Sequence, residues 1–149
     1  MKKLLVQIYY SKDKGILIVG NRGGDGPYKA AGIPLHFSYD MLDEELGEKV
    51  ISQFEATENY MSVDDNLLFY KELPGIKTWN QFFSSMNLLS IWKDQNQYQI
   101  KSYRHKGKYY AADTTSHIEV TSNISNVELG RIIRKAMTRQ EDRGTVRNH

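Results

Sequence analysis

Four histidines, His36, His105, His117 and His149, are the side chains of this chain best suited to proton transfer or metal binding. No two are spaced as His-x₃-His or in a His-Glu-x-x-His motif, the spacings that bring two ligands to one metal ion. We therefore expect no metal site, no cofactor and no catalytic residue. One alternative stays open, because paired histidines with a lysine such as Lys108 can act as acid and base on an RNA phosphodiester. The histidines at 105 and 117 are expected on successive strands, where side-chain alternation decides whether they meet.

Two further patterns resemble nucleotide or nucleic-acid binding. The glycine-rich segment Gly20 to Gly26 lacks the Gly-Lys-Ser/Thr ending of a phosphate-binding loop, and Asp25 within it would repel phosphate. We interpret it as a loop excursion. The last predicted helix carries cations at spacings i, i+3, i+4 and i+8, which can follow a phosphate backbone, although a solvated face is the commoner meaning. These cations are Arg131, Arg134, Lys135 and Arg139. The alternative hypothesis is therefore an RNA-binding or RNA-cleaving domain that uses this helix.

The carboxylates are strongly clustered. Ten of the 18 lie between Asp40 and Glu72 with only two lysines, a local charge of −8 in a chain of net charge +2. The segment from Lys93 to His149 has the opposite balance, with eleven Lys and Arg against six acids. Clustered charge of one sign steers a partner of the other sign. The helix dipole by itself explains three of the acids, which fall in the first turn of the helix predicted from Leu42. The candidate partner-binding residues are Asp40, Asp43, Glu44, Glu48, Glu55, Glu58, Asp64 and Asp65.

Length and composition bound the remaining possibilities. A chain of 149 residues is long enough for one domain with its own core. We expect that domain to span residues 1–140, and residues 141–149, which are poor in apolar side chains, to form a flexible tail. The absence of cysteine excludes disulfides and thiolate sites and fits a reducing compartment. The apolar run near the start is shorter than a signal peptide requires and far short of the roughly 20 residues of a membrane span. We therefore expect a cytoplasmic protein.

The hydrophobic periodicity predicts an α+β single domain with a mostly antiparallel sheet of five or six strands and three packed helices. A first hairpin is expected at Leu4 to Tyr10 and Gly15 to Val19, and a strand-like run at Leu67 to Leu73. Three later strands should form an antiparallel meander. They are expected at Leu88 to Lys93, Gln97 to His105 and Lys108 to Val120. The helices are expected at Leu42 to Glu58, Thr78 to Met86 and Ser125 to Gln140.

Two segments 83 positions apart share Glu-Leu-Gly followed by an apolar helical face: DEELGEKVISQF from Asp43 and NVELGRIIRKAM from Asn126. They record a duplicated half, or else both helices need a small residue where the first turn crosses a neighbouring strand. In the short middle helix, Trp79 and Phe82 are expected to be buried structural residues rather than binding residues.

Residues from Lys77 to Gln140 resemble the immunity proteins of contact-dependent growth inhibition (CDI). The resemblance rests on TWNQFF, LLSIWKD, YRHKGKYYAADT and VELGRIIRKAM. It implies a cytoplasmic, non-catalytic protein that binds and blocks the C-terminal toxin domain of a cognate effector, with no membrane and no direct nucleic acid as partner. Such toxins are often nucleases, whose surfaces must be basic to hold nucleic acid. The acidic segment would then imitate the phosphate backbone, and its carboxylates become the expected toxin-binding residues.

Overall fold

The computed structural model describes residues 4–22, 29–30, 33–59, 70, 73–107, 109–113 and 117–147. The strands are β1 (Leu4–Ser11), β2 (Gly15–Arg22), β3 (Lys29–Ala30), β4 (Leu35–Phe37), β5 (Asn87–Lys93), β6 (Gln97–Lys106), β7 (Tyr109–Ala112) and β8 (Ile118–Thr121). The helices are α1 (Asp43–Asn59), α2 (Trp79–Ser85) and α3 (Asn126–Arg147).

All strands pair antiparallel in one sheet of order β3-β2-β1-β5-β6-β7, with β4 also on β2 and β8 also on β6. The predicted α+β single domain and the meander β5-β6-β7 are confirmed. Among the described residues the sheet contains eight strands where about five or six were expected, because β3 and β4 were not predicted and the run from Lys108 to Val120 divides into β7 and β8. The strand-like run Leu67 to Leu73 lies largely outside the described residues, and its two described residues, Tyr70 and Leu73, are not in a strand.

Alternating side chains of the central strands supply two separate cores. On one face, Val6, Ile8 and Tyr10 of β1 pack with the apolar sides of α1 and α3. On the other face, Tyr9 of β1 packs with Phe82 of α2 and with apolar side chains of β2 and β5. The long helices therefore turn one side to the sheet and leave the other side to solvent.

The middle helix begins at a capping box. Thr78 Oγ1 accepts a hydrogen bond from the Gln81 backbone N–H, and the Gln81 side chain accepts one from the Thr78 N–H. Phe82 is fully buried, as predicted, whereas Trp79 is 40% exposed, so the prediction that Trp79 is buried is wrong. Trp79 occupies the first helical position, where the ring contacts Phe82 and Phe83 from the solvent side.

Helix α3 is longer than predicted. It begins after Ser125, whose Oγ accepts a hydrogen bond from the Glu128 N–H at 3.2 Å, and it continues past Gln140 to Arg147. The predicted helix end at Gln140 is therefore wrong. The flexibility expected of residues 141–149 stays a prediction.

The glycines of the two Glu-Leu-Gly motifs meet each other where α1 crosses α3. A Cβ on Gly47 would lie 2.8 Å from the Asn126 carbonyl carbon, and a Cβ on Gly130 would lie 2.6 Å from the Asp43 carbonyl carbon. Both distances are too short for a real side chain, so the crossing requires glycine on both helices. The small residues serve a helix crossing, and not the crossing of a strand that one of the two explanations assumed.

The two halves of the chain repeat one another. Among the described residues, each repeat consists of four strands followed by a long helix, with α2 lying between the two repeats. In each repeat the third and fourth strands both pair with the second. A shift of 83 positions turns the cross-strand pair Val6 and Ile91 into the pair Ile8 and Leu89, which is also observed. The same shift relates the buried helix residues Leu46, Val50 and Phe54 to Leu129, Ile133 and Met137. The molecule therefore has an internal pseudo-two-fold arrangement, which favours the duplicated-half explanation.

Candidate functional site

An acidic stripe runs along the solvent side of α1. It consists of Glu44, Glu48, Glu55 and Glu58, all exposed. At 3.6 residues per turn these positions fall within an arc of about 80° and extend over roughly 21 Å of helix. The stripe lies opposite the buried side of the same helix, which includes Leu46. Amphipathic periodicity thus fixes the direction of the stripe, because burial of the apolar side leaves no other orientation.

The carboxylates of the stripe have no cationic partner in the described part of the chain. The ion pairs found there join other residues: Asp13 with Lys14, Glu119 with His117, Glu128 with Arg131, and Asp43 with Arg134. Lys49 of α1 lies over the Phe37 ring, 5.9 Å from its centroid. The stripe therefore presents uncompensated negative charge to solvent.

The remaining predicted site residues have different surroundings. Asp40 is exposed just before α1, and the hydrogen bond from the Ser38 hydroxyl lowers the pKa of its carboxyl below the ordinary value. Asp43 accepts a hydrogen bond from Arg134 Nε at 3.3 Å and is partly used within the fold. Asp64 and Asp65 lie outside the described residues.

Arg134 is part of the fold rather than of an exposed basic stripe. Its side chain is 19% exposed. The guanidinium donates hydrogen bonds to the carbonyl oxygens of Tyr39 and Met41 and lies over the Tyr39 ring, 5.5 Å from its centroid. Arg131 is paired with Glu128 within α3. The predicted cationic stripe therefore contributes only two exposed cations without an ion pair among the described residues, Lys135 and Arg139.

A cleft opens beside the stripe, where the loop before α1 meets the start of α3. It is shallow and wide open to solvent, with a volume of about 610 Å³, and its lining consists of Tyr39, Asp40, Met41, Leu42, Asp43, Glu44, Val127 and Arg134. Leu42 is 67% exposed and Val127 is 38% exposed. The site residues predicted from sequence did not include Leu42 or Val127, because they were chosen for their negative charge alone. The alignment of the two Glu-Leu-Gly motifs contains the missing signal, since Val127 aligns with Glu44, a residue expected to face solvent.

The two histidines considered for catalysis do not come together. His105 pairs with Tyr110 at one end of β6, stacks on Phe83 with ring centroids 4.6 Å apart, and has Nε2 2.9 Å from the Met86 carbonyl oxygen. His117 precedes Ile118, which pairs with Ile100, so the antiparallel register places His117 level with Lys101, four residues or about 14 Å along β6 from His105. The pair therefore cannot act on one phosphodiester in this arrangement.

Among the described residues, no group of three or more His, Asp or Glu side chains is placed to hold a metal ion. None of the three helices described combines the length and apolar character needed to cross a bilayer.

Two solved structures share the fold of this chain. A structure of a protein of unknown function, NMB0488 from Neisseria meningitidis, matches with a TM-score of 0.71 and 20% identity over 93% of this chain and 95% of that one. A structure of a CdiA-CT/CdiI toxin and immunity complex from Yersinia pseudotuberculosis matches with a TM-score of 0.71 and 16% identity over 93% of this chain and 98% of that one. No curated protein matches. The family model CdiI, described as CDI immunity protein, matches residues 28–139, which include β4, the acidic stripe, the cleft and most of α3. The chain therefore belongs to the CDI immunity protein family.

Proposed function

We propose that this protein binds the C-terminal toxin domain of a cognate CDI effector and blocks it in the cytoplasm. Membership of the family supports the immunity role, and one observation of the structure carries the choice of surface. The four glutamates of the acidic stripe are exposed on one side of α1 without a described cationic partner. The stripe with Asp40 is the toxin-binding surface in this proposal. Asp43 contributes less to toxin binding, because its carboxylate is already paired with Arg134. Asp64 and Asp65 remain proposed toxin-binding residues on the basis of the sequence.

The toxin is a nuclease in this proposal. A nuclease domain carries a basic surface for nucleic acid, and a regular row of carboxylates spread over about 21 Å offers that surface the charge pattern of a phosphate backbone. Inhibition then requires no catalysis and no cofactor, and the inhibitor itself binds neither membrane nor nucleic acid. The separation of His105 from His117 agrees with a non-catalytic role.

Charge reversal on the stripe tests the surface. The partner is the inactivated C-terminal domain of the effector encoded beside this chain, titrated in a calorimeter. The Glu48→Lys/Glu55→Lys variant should bind at least about tenfold more weakly than the parent, a loss of about 1.4 kcal/mol or more. The loss should be larger at low salt, because a longer Debye length strengthens the repulsion.

Glu119→Lys is the matched control for the single variant Glu55→Lys, which should also bind more weakly than the parent. Glu119 is exposed on β8, on the sheet face opposite α1, since its neighbours Ile118 and Val120 pack against the core that contains α1. Its reversal changes the net charge as much as Glu55→Lys does. The control should bind within about twofold of the parent. Equal losses in Glu55→Lys and Glu119→Lys would show that net charge alone matters and would contradict the assignment of the stripe.

The nuclease part has a separate test. The active toxin domain should degrade RNA or DNA, and an equimolar amount of this protein should stop the degradation. A toxin domain that kills cells without cutting nucleic acid would contradict the phosphate-mimic explanation and leave the immunity role intact.

A further inference from the structure

We infer that the cleft at Leu42 and Val127 is the apolar centre of the toxin-binding surface and accepts an apolar side chain from a basic face of the toxin domain. The inference rests on the proposed immunity function. In this inference the cleft supplies apolar contact, and the acidic stripe supplies charge.

The internal repeat shows that the fold does not need an apolar side chain at either position. Leu42 corresponds to Ser125 and Val127 corresponds to Glu44 after the shift of 83 positions. Both counterparts are polar and exposed. The same architecture therefore forms with polar residues at these two places, so the apolar residues call for another explanation.

Leu42 occupies the N-cap position of α1, but its side chain makes no capping hydrogen bond. Its carbonyl oxygen accepts the first helical hydrogen bond, from Leu46 N at 2.9 Å, as the Ser125 carbonyl accepts one from Leu129 N at 2.9 Å. The hydroxyl of Ser125 caps α3, whereas leucine has no side-chain oxygen and is a poor N-cap residue. Leu42 is 67% exposed and stands where a polar residue would cap the helix, so contact with a partner best explains a leucine at this position.

The charges around the cleft determine the kind of partner. Arg134 is the one described cation in the lining, and it is paired with Asp43. Asp40 and Glu44 of the lining are exposed carboxylates, and the acidic stripe continues from Glu44 along α1. An apolar centre with an acidic rim is complementary to an apolar or aromatic side chain surrounded by lysine and arginine. Such a centre, shielded from water by a polar rim, is the typical arrangement of an interface hot spot.

The test is the replacement Leu42→Ser, which copies the counterpart Ser125. It should weaken binding of the inactivated toxin domain at least tenfold by calorimetry. The melting temperature should stay unchanged or rise by about 2–4 °C, because serine restores a cap. Val127→Ser should weaken binding by a smaller factor, since Val127 is 38% exposed and offers less area.

Ile33→Ser is the matched control, since Ile33 is 75% exposed and its carbonyl oxygen accepts a hydrogen bond from Gln53, which is buried on the side of α1 opposite the acidic stripe. It should leave the dissociation constant within about twofold of the parent. A parent chain that binds while Leu42→Ser binds equally well would overturn this inference alone. A parent chain that does not bind the toxin domain would overturn the proposed function, and this inference with it.

Discussion

Replacement of Gly47 by alanine should destabilise the protein strongly, although alanine is the better helix former. Glycine is about 1 kcal/mol less favourable than alanine inside a helix, so propensity alone predicts stabilisation. The new Cβ would lie 2.8 Å from the Asn126 carbonyl carbon and 3.1 Å from the Gly130 nitrogen. These are backbone atoms of α3, and they cannot rotate away as a flexible side chain could. The two helices must therefore separate.

The cost of that separation exceeds the gain in propensity. Overpacking of a tight contact costs about 1–3 kcal/mol, and a clash between two backbones belongs at the upper end of that range or above it. Helix α1 would also move away from Leu129 and Ile133, which pack with Leu46 in the core between the sheet and the two long helices. After the propensity gain is subtracted, we expect a net loss of about 2 kcal/mol or more. For a chain of this size the melting temperature should fall by about 4–8 °C.

Urea unfolding followed by circular dichroism gives the measurement, with Ser52→Ala as the control. Ser52 is exposed on the same helix, so that variant receives the propensity gain without the clash and should be as stable as the parent or slightly more stable. The double variant Gly47→Ala/Gly130→Ala should lose less than the sum of the single variants, because both act on one crossing. A Gly47→Ala protein as stable as the parent would refute the tight crossing, and strict additivity would refute the shared contact.

Four further outcomes are expected. Phe82→Ala should cost about 3–5 kcal/mol and Trp79→Ala clearly less, because only the first ring is fully buried; equal losses in thermal melts would contradict this. Burial raises the pKa of Tyr10, so the neutral phenol is the form that the fold retains. Stability from this group is present below the ordinary tyrosine pKa of about 10 and is lost as the pH rises above it, so in an alkaline titration the last tyrosinate absorbance to appear should accompany the loss of ellipticity. Arg134→Met should lose about 1–3 kcal/mol in urea unfolding, because two loop carbonyls lose a charged donor, whereas an unchanged midpoint would show that the contact is not needed. The purified chain should not cleave labelled RNA, and cleavage that disappears in His105→Ala would restore the RNA-cleaving alternative.

The sequence alone determined the features that depend on neighbours along the chain. Alternation of apolar residues predicted the central strands, and the 3.6-residue period predicted α1 and its solvent side. Two helices were expected to begin at Thr78 and Ser125, and in the structure both residues cap their helices, because a side-chain oxygen bonds a backbone N–H only three residues away. The clustering of carboxylates was visible for the same reason, since charges close together on one helix stay close after folding.

Only the tertiary structure decided which distant residues meet. The two Glu-Leu-Gly motifs permitted two explanations, and the crossing of α1 with α3 showed that Gly47 and Gly130 serve each other. Arg134 looked like part of a solvated cationic stripe until the loop before α1 placed two carbonyl oxygens beside it. Leu42 was expected as the first residue of a helix, and nothing in the sequence showed whether its side chain would be covered. Burial is decided by the packing of elements that are far apart in sequence, and local propensity carries no information about that packing.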